Sequence, residues 1–544
     1  MAQQLEIPYE RDRKGHYRFF EILPGALSWL MLAMPFILGF INVTVAAVFI
    51  LIYLLVNFAR AFAANLRALQ GYSTMRKYQK FPWDEFLAEL QAGEVSQAAQ
   101  RKRPGWHLRR VAHQATITPV IAPQDMIHAV IIATYNENRE TLEPTIQSVL
   151  ASNYNMKQVI LVLAYEERGG PEVAKQSKAL IREYKSHFMH AMAIEHPRDI
   201  PGELIGKGGN VTYAGRKLLD HLRAEKIDVD RVVVTTLDAD NRPDPQYLSA
   251  LSYVYSAYHD PHHVSVQPIS MYTNNIWDAP APMRVLATGN SFYNIVMSVR
   301  PHILRNFSSH AQTMKALVDT DFWSVRTIVE DGHQFWRSYF TYDGNYRVLP
   351  LYIPIYQDAV LSKGYLKTLK AQFIQLRRWT WGASDVAYVV DKGFFRRNKV
   401  PKIDLAMKAL RLLEGHVTWA IAPLLLLFSG FIPALFHPQS YAANELPLIV
   451  SRVQTVALIG ALASLFVCLK TLPPKPARYR QHRRLYMVLQ WVYLPVTTIA
   501  YNSFAALYSQ TRLMFGWYLS KFDVTEKAVV DESGDTKTTL GSMD

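Results

Sequence analysis

Apolar positions are spread unevenly along the chain. Residues 22–59 contain no charged side chain, and at about 20 residues per crossing this run suffices for two membrane-spanning helices, with Asn42 at the tip of the hairpin. A cleaved signal peptide would have a shorter apolar region, about 7 to 15 residues, ending at a small-residue cleavage site. Three more apolar stretches follow position 410, at 416–436, 448–469 and 485–510. The first two read as spans, with Arg452 near the start of the second snorkelling to the interface. The third is interrupted by Gln490, Pro495, Asn502 and several Ser and Thr residues. It either spans or lies at the interface as a broken amphipathic helix.

Between these ends the pattern changes. Residues 129–134 (AVIIAT), 158–164 (QVILVLA) and 231–237 (RVVVTTL) read as buried strands, and 143–150 and 171–185 as helices. Strands alternating with helices predict an α/β domain with a mostly parallel sheet, in which ligands bind beyond the carboxyl ends of the strands. The expected organisation is a cytosolic N-terminus (1–21), a transmembrane hairpin (22–59), an interfacial helical linker (60–115) and the α/β domain (116–400). After it come an interface helix, a second hairpin and a basic cytosolic loop (401–484), then the apolar segment 485–510, residues 511–530, and a disordered polar tail (531–544).

Composition narrows this picture. The 544 residues carry 59 Lys plus Arg against 45 Asp plus Glu, a net charge of +14 on only 19% charged residues, and half of the chain is hydrophobic. That excludes a disordered chain and leaves room for two or three domains. Residues 437–447 hold no Lys or Arg, whereas the next loop carries Lys470, Lys475, Arg478, Arg480, Arg483 and Arg484. The positive-inside rule places that loop in the cytosol. Arg11, Arg13, Lys14 and Arg18 put the N-terminus on the same side, so residues 60–410 are expected in the cytosol too. Basic clusters beside membrane segments, Arg101 to Arg103, Arg109, Arg110 and Arg478 to Arg484, favour anionic lipid over nucleic acid as partner. One cysteine, Cys468, rules out an internal disulfide or a Cys-rich zinc site.

The candidate chemistry falls at strand ends. Tyr135-Asn136-Glu137 follows the first strand and also reads as an Asx-type turn. Glu166-Glu167 follows the second, and suits a solvated surface pair equally well. Asp238-Ala239-Asp240 ends the third strand, where two carboxylates one residue apart can converge on a hard divalent cation that also takes phosphate oxygens. Gly206-Lys207-Gly208-Gly209-Asn210 lacks the full Walker pattern, yet its glycines allow close backbone approach and its Lys offers charge to an anion. Glu330-Asp331 could hold a base for a sugar hydroxyl, or simply acids complementing a helix N-terminus. His333 reads as structural or solvated. Gln375-Leu376-Arg377-Arg378-Trp379 joins a guanidinium for a diphosphate to an indole face for a sugar, and also suits a membrane-interface helix.

The order TYNE, GKGGN, DAD, ED and QLRRW within residues 129–379, between membrane segments, closely resembles the membrane-integrated family-2 glycosyltransferases of the cellulose synthase and hyaluronan synthase type. The resemblance implies a GT-A-like domain in the cytosol flanked by transmembrane helices at both ends. It also implies a nucleotide-diphosphate sugar donor, above all a UDP-sugar, a divalent cofactor (Mg²⁺ or Mn²⁺), and inversion at the anomeric carbon. By that resemblance Asp238 and Asp240 match the DxD of metal and donor, and Asp331, with Glu330 beside it, matches the general base of the TED motif. Gln375, Arg378 and Trp379 match QxxRW beside the diphosphate and the acceptor. Tyr135, Glu137 and Lys207 match positions near the nucleotide.

Two positions depart from the family pattern. TED is Val329-Glu330-Asp331 here, and the usual Asp pair after the second strand is Glu166-Glu167, which puts their nucleotide role in doubt. Phe522 to Lys527 matches FxVTxK, a gating loop that covers bound nucleotide in cellulose synthases and so implies donor contacts for Thr525 and Lys527. A cytosolic loop there requires that 485–510 does not cross the bilayer once. The expected protein is thus an integral plasma (inner) membrane glycosyltransferase with both termini cytosolic, acting on a saccharide or lipid-linked acceptor and not on nucleic acid. The alternatives are single transfer to a polyprenyl phosphate or other lipid, and a transporter or receptor with a nucleotide-sensing domain.

Overall fold

A computed structural model describes residues 5–519, 527–530 and 536–537. Two long helices open the chain, α1 (His16–Ile41) and α2 (Val43–Tyr78), with Asn42 accepting from the backbone N–H groups of Thr44 and Val45 to cap the second. Helix α2 continues unbroken past position 59. Helices α3 (Trp83–Ala92) and α4 (Gly105–Gln114) then lead into the central domain.

That domain is mixed α/β around one eight-stranded sheet. In chain order it contains β1 (Ile127–Thr134), α5 (Arg139–Leu150), β2 (Val159–Glu166), α6 (Pro171–Tyr184), β3 (His190–His196), α7 (Lys207–Ala224), β4 (Val232–Asp238) and β5 (Arg242–Pro243). These are followed by α8 (Tyr247–Ala257), β6 (Val264–Tyr272), α9 (Ala281–Ser298), β7 (Ala311–Thr313), α10 (Glu330–Thr341), β8 (Arg347–Gln357) and α11 (Tyr365–Thr380). The sheet order is β3-β2-β1-β4-β7-β6-β8-β5. The first four strands pair in parallel, as the sequence pattern predicts. β7 then pairs antiparallel with both β4 and β6, and β5 antiparallel with β8. The register of the parallel half sets Ala133 opposite Asp238 and Thr134 opposite Tyr165, so the carboxyl ends of β1, β2 and β4 open on one edge.

Every residue of β1 and β2 is buried, which explains their nearly continuous apolar runs. Alternate residues serve opposite faces. Val130, Ile132, Leu161 and Leu163 pack with α5, α8 and the aromatic side chains of α3, whereas Ala129, Ile131 and Val162 pack with Val211, Leu218 and Leu222 of α7.

Among the described residues four helices are long and apolar enough to cross a membrane: α1, α2, the run Lys402–Phe436, whose first and longest helix is α12 (Lys402–Phe428), and α13 (Tyr441–Thr471). Residues 485–510 form no such helix. The chain there breaks into Arg483–Leu489, a 3₁₀ turn, Leu494–Thr497, a π-helical stretch at Thr498–Ser503 and the start of α14 (Phe504–Phe515). Pro495 occupies the first turn of Leu494–Thr497, and π-helical insertions of this kind unwind a helix locally.

The N-terminal segment is stitched into the domain across a long sequence gap. The Arg337 guanidinium of α10 has no exposed surface, and donates to Glu6 at 2.8 Å, to the Leu5 carbonyl at 3.2 Å and to the Thr320 carbonyl at 2.7 Å. Removing the partner of a buried charge costs about 3–5 kcal/mol, against about 0–1 kcal/mol for an exposed pair. Glu6→Ala is therefore expected to lower unfolding stability by several kcal/mol, read as a drop in thermal midpoint of the purified protein. A change no larger than that of a surface pair such as Arg216→Ala (paired with Asp321) contradicts this.

Candidate active site

The open edge of the sheet gathers the acidic motifs. Asp238 is the last residue of β4. Its carboxylate accepts from Lys207 Nζ at 2.6 Å and from Ser308 Oγ at 2.6 Å. Burial alone would raise the pKa of Asp238, but Lys207 and Lys527 outweigh burial and hold it well below the usual carboxylate range. Asp240, 6% exposed, accepts from Lys527 Nζ at 2.7 Å and from the Asp358 backbone N–H at 3.1 Å.

Lys207 begins α7, whose N-terminus packs tightly against the loop before α10: a Cβ on Gly208 would lie 2.4 Å from the Ser324 carbonyl. Glycine at this position is thus a matter of space. Against burial, the charges of Asp238, Glu330 and Asp331 raise the Lys207 pKa.

Glu330 and Asp331 occupy the first turn of α10, where acids complement the helix dipole. Glu330 is buried, 3.8 Å from Lys207 Nζ. Burial and then the charge of Asp331 push its pKa up. Asp331 is half-buried and accepts the Gly332 N–H at 2.7 Å. Arg378, in the last turn of α11, lies among these acids. Burial lowers its pKa, opposed by the charges of Glu330, Asp238 and Asp331. Trp379 stands 6.1 Å from Tyr272, the last residue of β6, and the Tyr272 hydroxyl is raised by burial and by Asp238, Asp240 and Asp331. Gln375 lines a small cleft together with Asp240, Asn275, Asp358 and Lys527. The structure therefore brings Lys207, Asp238, Asp240, Glu330, Asp331, Gln375, Arg378 and Lys527 to one pocket. Lys527 reaches it because the Ala528 N–H bonds the Leu361 carbonyl at 2.9 Å. Thr525 and the rest of FxVTxK lie outside the described residues.

At the end of β1, Glu137 folds back to accept from Thr134 Oγ1 and the Tyr135 N–H, both at 2.8 Å, and so fixes the turn. Its charge is felt by Lys527. Glu166 is not a solvated surface acid. It is buried, and accepts from His196 at 3.1 Å and from Arg168 at 3.3 Å, while the other ring nitrogen of His196 meets Glu203 at 3.0 Å. Burial pulls the imidazole pKa down, yet the two carboxylates prevail and raise it to about 9. Glu167 stays at the surface, paired with Arg198 at 3.3 Å. His333 is fully buried and bonded to Asp385 at 2.7 Å, a structural role.

Sequence reasoning missed Asp358, Ser308, His196 and Glu203. Asp358 follows the apolar strand β8 as Asp238 ends β4, so the same rule would have found it; its pKa is pushed up by burial and by Asp240, and its Oδ1 is sealed from solvent with no hydrogen-bond partner. Nothing in the spacing marks Ser308.

Among the described residues no group of three or more His, Cys, Asp or Glu side chains is arranged around a metal position. The donor set still fits a hard divalent cation. Asp238 and Asp240 each hold an ammonium group within 2.7 Å, the Asp358 Oδ1 is orphaned beside them, and Mg²⁺ commonly takes one or two carboxylates plus substrate phosphates.

No protein-family model matches the sequence, and no curated protein matches it. Among solved structures, the mannosyltransferase PcManGT from Pyrobaculum calidifontis, in complex with GDP-Man and Mn²⁺, is similar over 82% of this chain and 98% of that one, at 14% identity and a TM-score of 0.38. A fragment of S. aureus TarS is similar over 77% of this chain and 100% of that one, at 10% identity and a TM-score of 0.35. The same fragment with UDP-GlcNAc gives the same identity and coverage and a TM-score of 0.36. Likeness this loose carries no weight for function.

The raised pKa of His196 sets a pH signature. A group charged more readily folded than unfolded stabilises fully below its unfolded value, about 6.5, and that stability is lost as pH rises through the folded value. The wild-type protein is expected to lose thermal stability between pH 6.5 and about 9, and His196→Gln to show a flatter profile over that window. Parallel profiles for the two proteins would dismiss the charged imidazole.

Proposed function

We propose that this protein is a membrane-embedded inverting glycosyltransferase of the cellulose synthase and hyaluronan synthase type, moving a sugar from a nucleotide-diphosphate sugar, most plainly a UDP-sugar, to a saccharide or membrane-associated acceptor. The observation that carries this reading is the convergence of Asp238, Asp331, Lys207 and Arg378 from four separate elements on one pocket.

In this reading an acceptor hydroxyl attacks the anomeric carbon as the nucleoside diphosphate leaves and carries away the bonding pair. Asp331 takes the hydroxyl proton, assistance worth about 10² to 10⁴ in rate. Lys207, Lys527 and Arg378 face the negative charge that develops on the diphosphate, and fixed charges of this kind in a water-poor pocket supply several kcal/mol. Asp238 and Asp240 would hold Mg²⁺ or Mn²⁺, which when bound adds charge neutralisation to the diphosphate. Trp379, beside Tyr272, offers an aromatic face to the acceptor ring. Tyr135 and Glu137 border the nucleotide side.

Purified protein incubated with a panel of sugar nucleotides and Mg²⁺ or Mn²⁺ should release nucleoside diphosphate. Asp331→Asn is expected to lower the rate by about 10² or more while donor binding persists, and a variant near the wild-type rate rejects the assignment. Size-disperse labelled product indicates polymer synthesis, a single extractable glycolipid indicates one transfer to lipid, and no turnover of any donor favours a sensing domain.

The same reading places the α/β domain and both termini in the cytosol. Lys527 on Asp240 supports it, because the segment after α14 must then share the pocket's side of the membrane. The broken 485–510 segment would lie along the interface or re-enter and return. In a Cys468→Ser background, Val530→Cys is expected to react only with reagents reaching the cytosolic face; labelling from the outer face alone overturns this topology.

A further inference from the structure

Away from the pocket, three separate segments bring arginines together with few acids to meet them. Arg60 and Arg67 lie seven residues apart on α2, on one helical face. Arg411 lies on α12, and Arg300 in the loop after α9. The helices are close: a Cβ on Gly71 of α2 would stand 2.5 Å from the Ile295 carbonyl of α9, and Arg67 is one turn earlier on the same helix. Arg60 bonds Glu414 of α12 at 2.5 Å. Arg300 lies half-buried with its Nε sealed from solvent and without a hydrogen-bond partner. After burial, the charges of Arg67, Arg411 and Arg60 lower its pKa. His302 is lowered by burial and by Arg300, Arg411 and Arg67, so the same side chains surround both groups. Arg305, also lowered by burial, lies 4.0 Å from the Phe335 ring and feels Asp404 as well as Arg411.

Like charges crowded around a guanidinium whose Nε has no partner disfavour its charged form, and an anion seated among them would relieve that cost. Depth along the helix indicates which anion. At about 1.5 Å per residue, Arg60 lies about 26 Å from Val43 along α2, near the far edge of a hydrocarbon layer about 30 Å thick. Glu414 meets Arg60 at that level, just before the apolar run of α12. Lipid phosphates occupy this level, and basic side chains near an anionic surface attract them.

We propose that Arg60, Arg67, Arg300 and Arg411 form a binding site for the phosphate of an anionic lipid headgroup. The site also touches the chemistry. The loop carrying Arg300 continues to Ser308, which donates to Asp238 at 2.6 Å, so a seated headgroup would steady the chain that holds this carboxylate. The proposal rests on the helices being spans and stands whether or not sugar transfer is the reaction.

The test uses full-length protein in detergent micelles doped with phosphatidylglycerol or phosphatidylcholine, with bound lipid counted by native mass spectrometry. Phosphatidylglycerol is expected to be retained selectively, and Arg300→Gln/Arg411→Gln to bind it at least about tenfold more weakly. Arg300→Lys/Arg411→Lys keeps the charge and should stay close to wild type, which separates lost charge from lost folding. Should the glutamine variant fail to fold, wild-type retention must still fall steeply with added salt. Equal retention of both lipids, wild-type affinity in the folded glutamine variant, or insensitivity to salt overturns the proposal. Displacement of the lipid by excess inorganic phosphate reassigns the site to a soluble anion, and no displacement supports the headgroup.

Discussion

Charge balance in the pocket is the constraint on which the rest depends. Asp238, Asp240, Glu330, Asp331 and Asp358 crowd one sheet edge against Lys207, Lys527 and Arg378. Left ionised, the acids would outnumber the cations in a place where burial penalises any uncompensated charge. The molecule resolves this in two ways. Glu330 and Asp358 are pushed toward their neutral forms by burial and by an acidic neighbour each, while Asp238 and Asp240 each receive an ammonium group. In the reading proposed above, a diphosphate or a divalent cation would enter by exchanging partners with these groups rather than by opening the fold.

Elements that lie far apart in the chain must cooperate to maintain that balance. The parallel half of the sheet aligns the ends of β1 and β4, so that Glu137 and Asp238 point to the same side. The start of α7 delivers Lys207, the start of α10 its two acids, and the last turn of α11 Arg378. Arg337 and Glu6 anchor α10 from behind, across most of the domain's length. Each contributor is a helix terminus or strand end, where side chains can converge without breaking a backbone ladder.

Much of this was legible in the chain because burial on both faces leaves an unbroken apolar run. β1, β2 and β4 and the acids that follow them fall within one or two residues of where the pattern predicts. The second half of the sheet was less legible for an equally physical reason. β7 is three residues long and β5 two, too short to show any period, and they supply the antiparallel pairs that make the sheet mixed. Glu166 could not be told from a surface acid because its partner His196, which also meets Glu203, comes from the end of β3, and no local spacing announces such a meeting. Ser308 escaped for the same reason, whereas Asp358 was readable by the rule that found Asp238.

The link between the pocket and the candidate span helices follows from small polar groups. Ser28 of α1 donates to Gln510 of α14 at 2.7 Å, and Gln510 donates to the His416 carbonyl of α12 at 2.8 Å. Close approach is needed here, since a Cβ on Gly25 would lie 2.8 Å from the Gln510 carbonyl. One residue earlier, Ser509 donates to the Arg377 carbonyl at 2.7 Å and meets Thr380 at 3.0 Å. These bonds grip α11 on both sides of Arg378 and Trp379. In apolar surroundings an unmade hydrogen bond is costly, so α11 follows the helices that hold it rather than drift from them. The guanidinium that balances the buried acids is therefore positioned, through α14, by the candidate span helices as much as by the domain it serves. A chain that bonded its QxxRW-bearing helix only to the sheet would leave Arg378 free of that frame, and the pocket's charge balance with it.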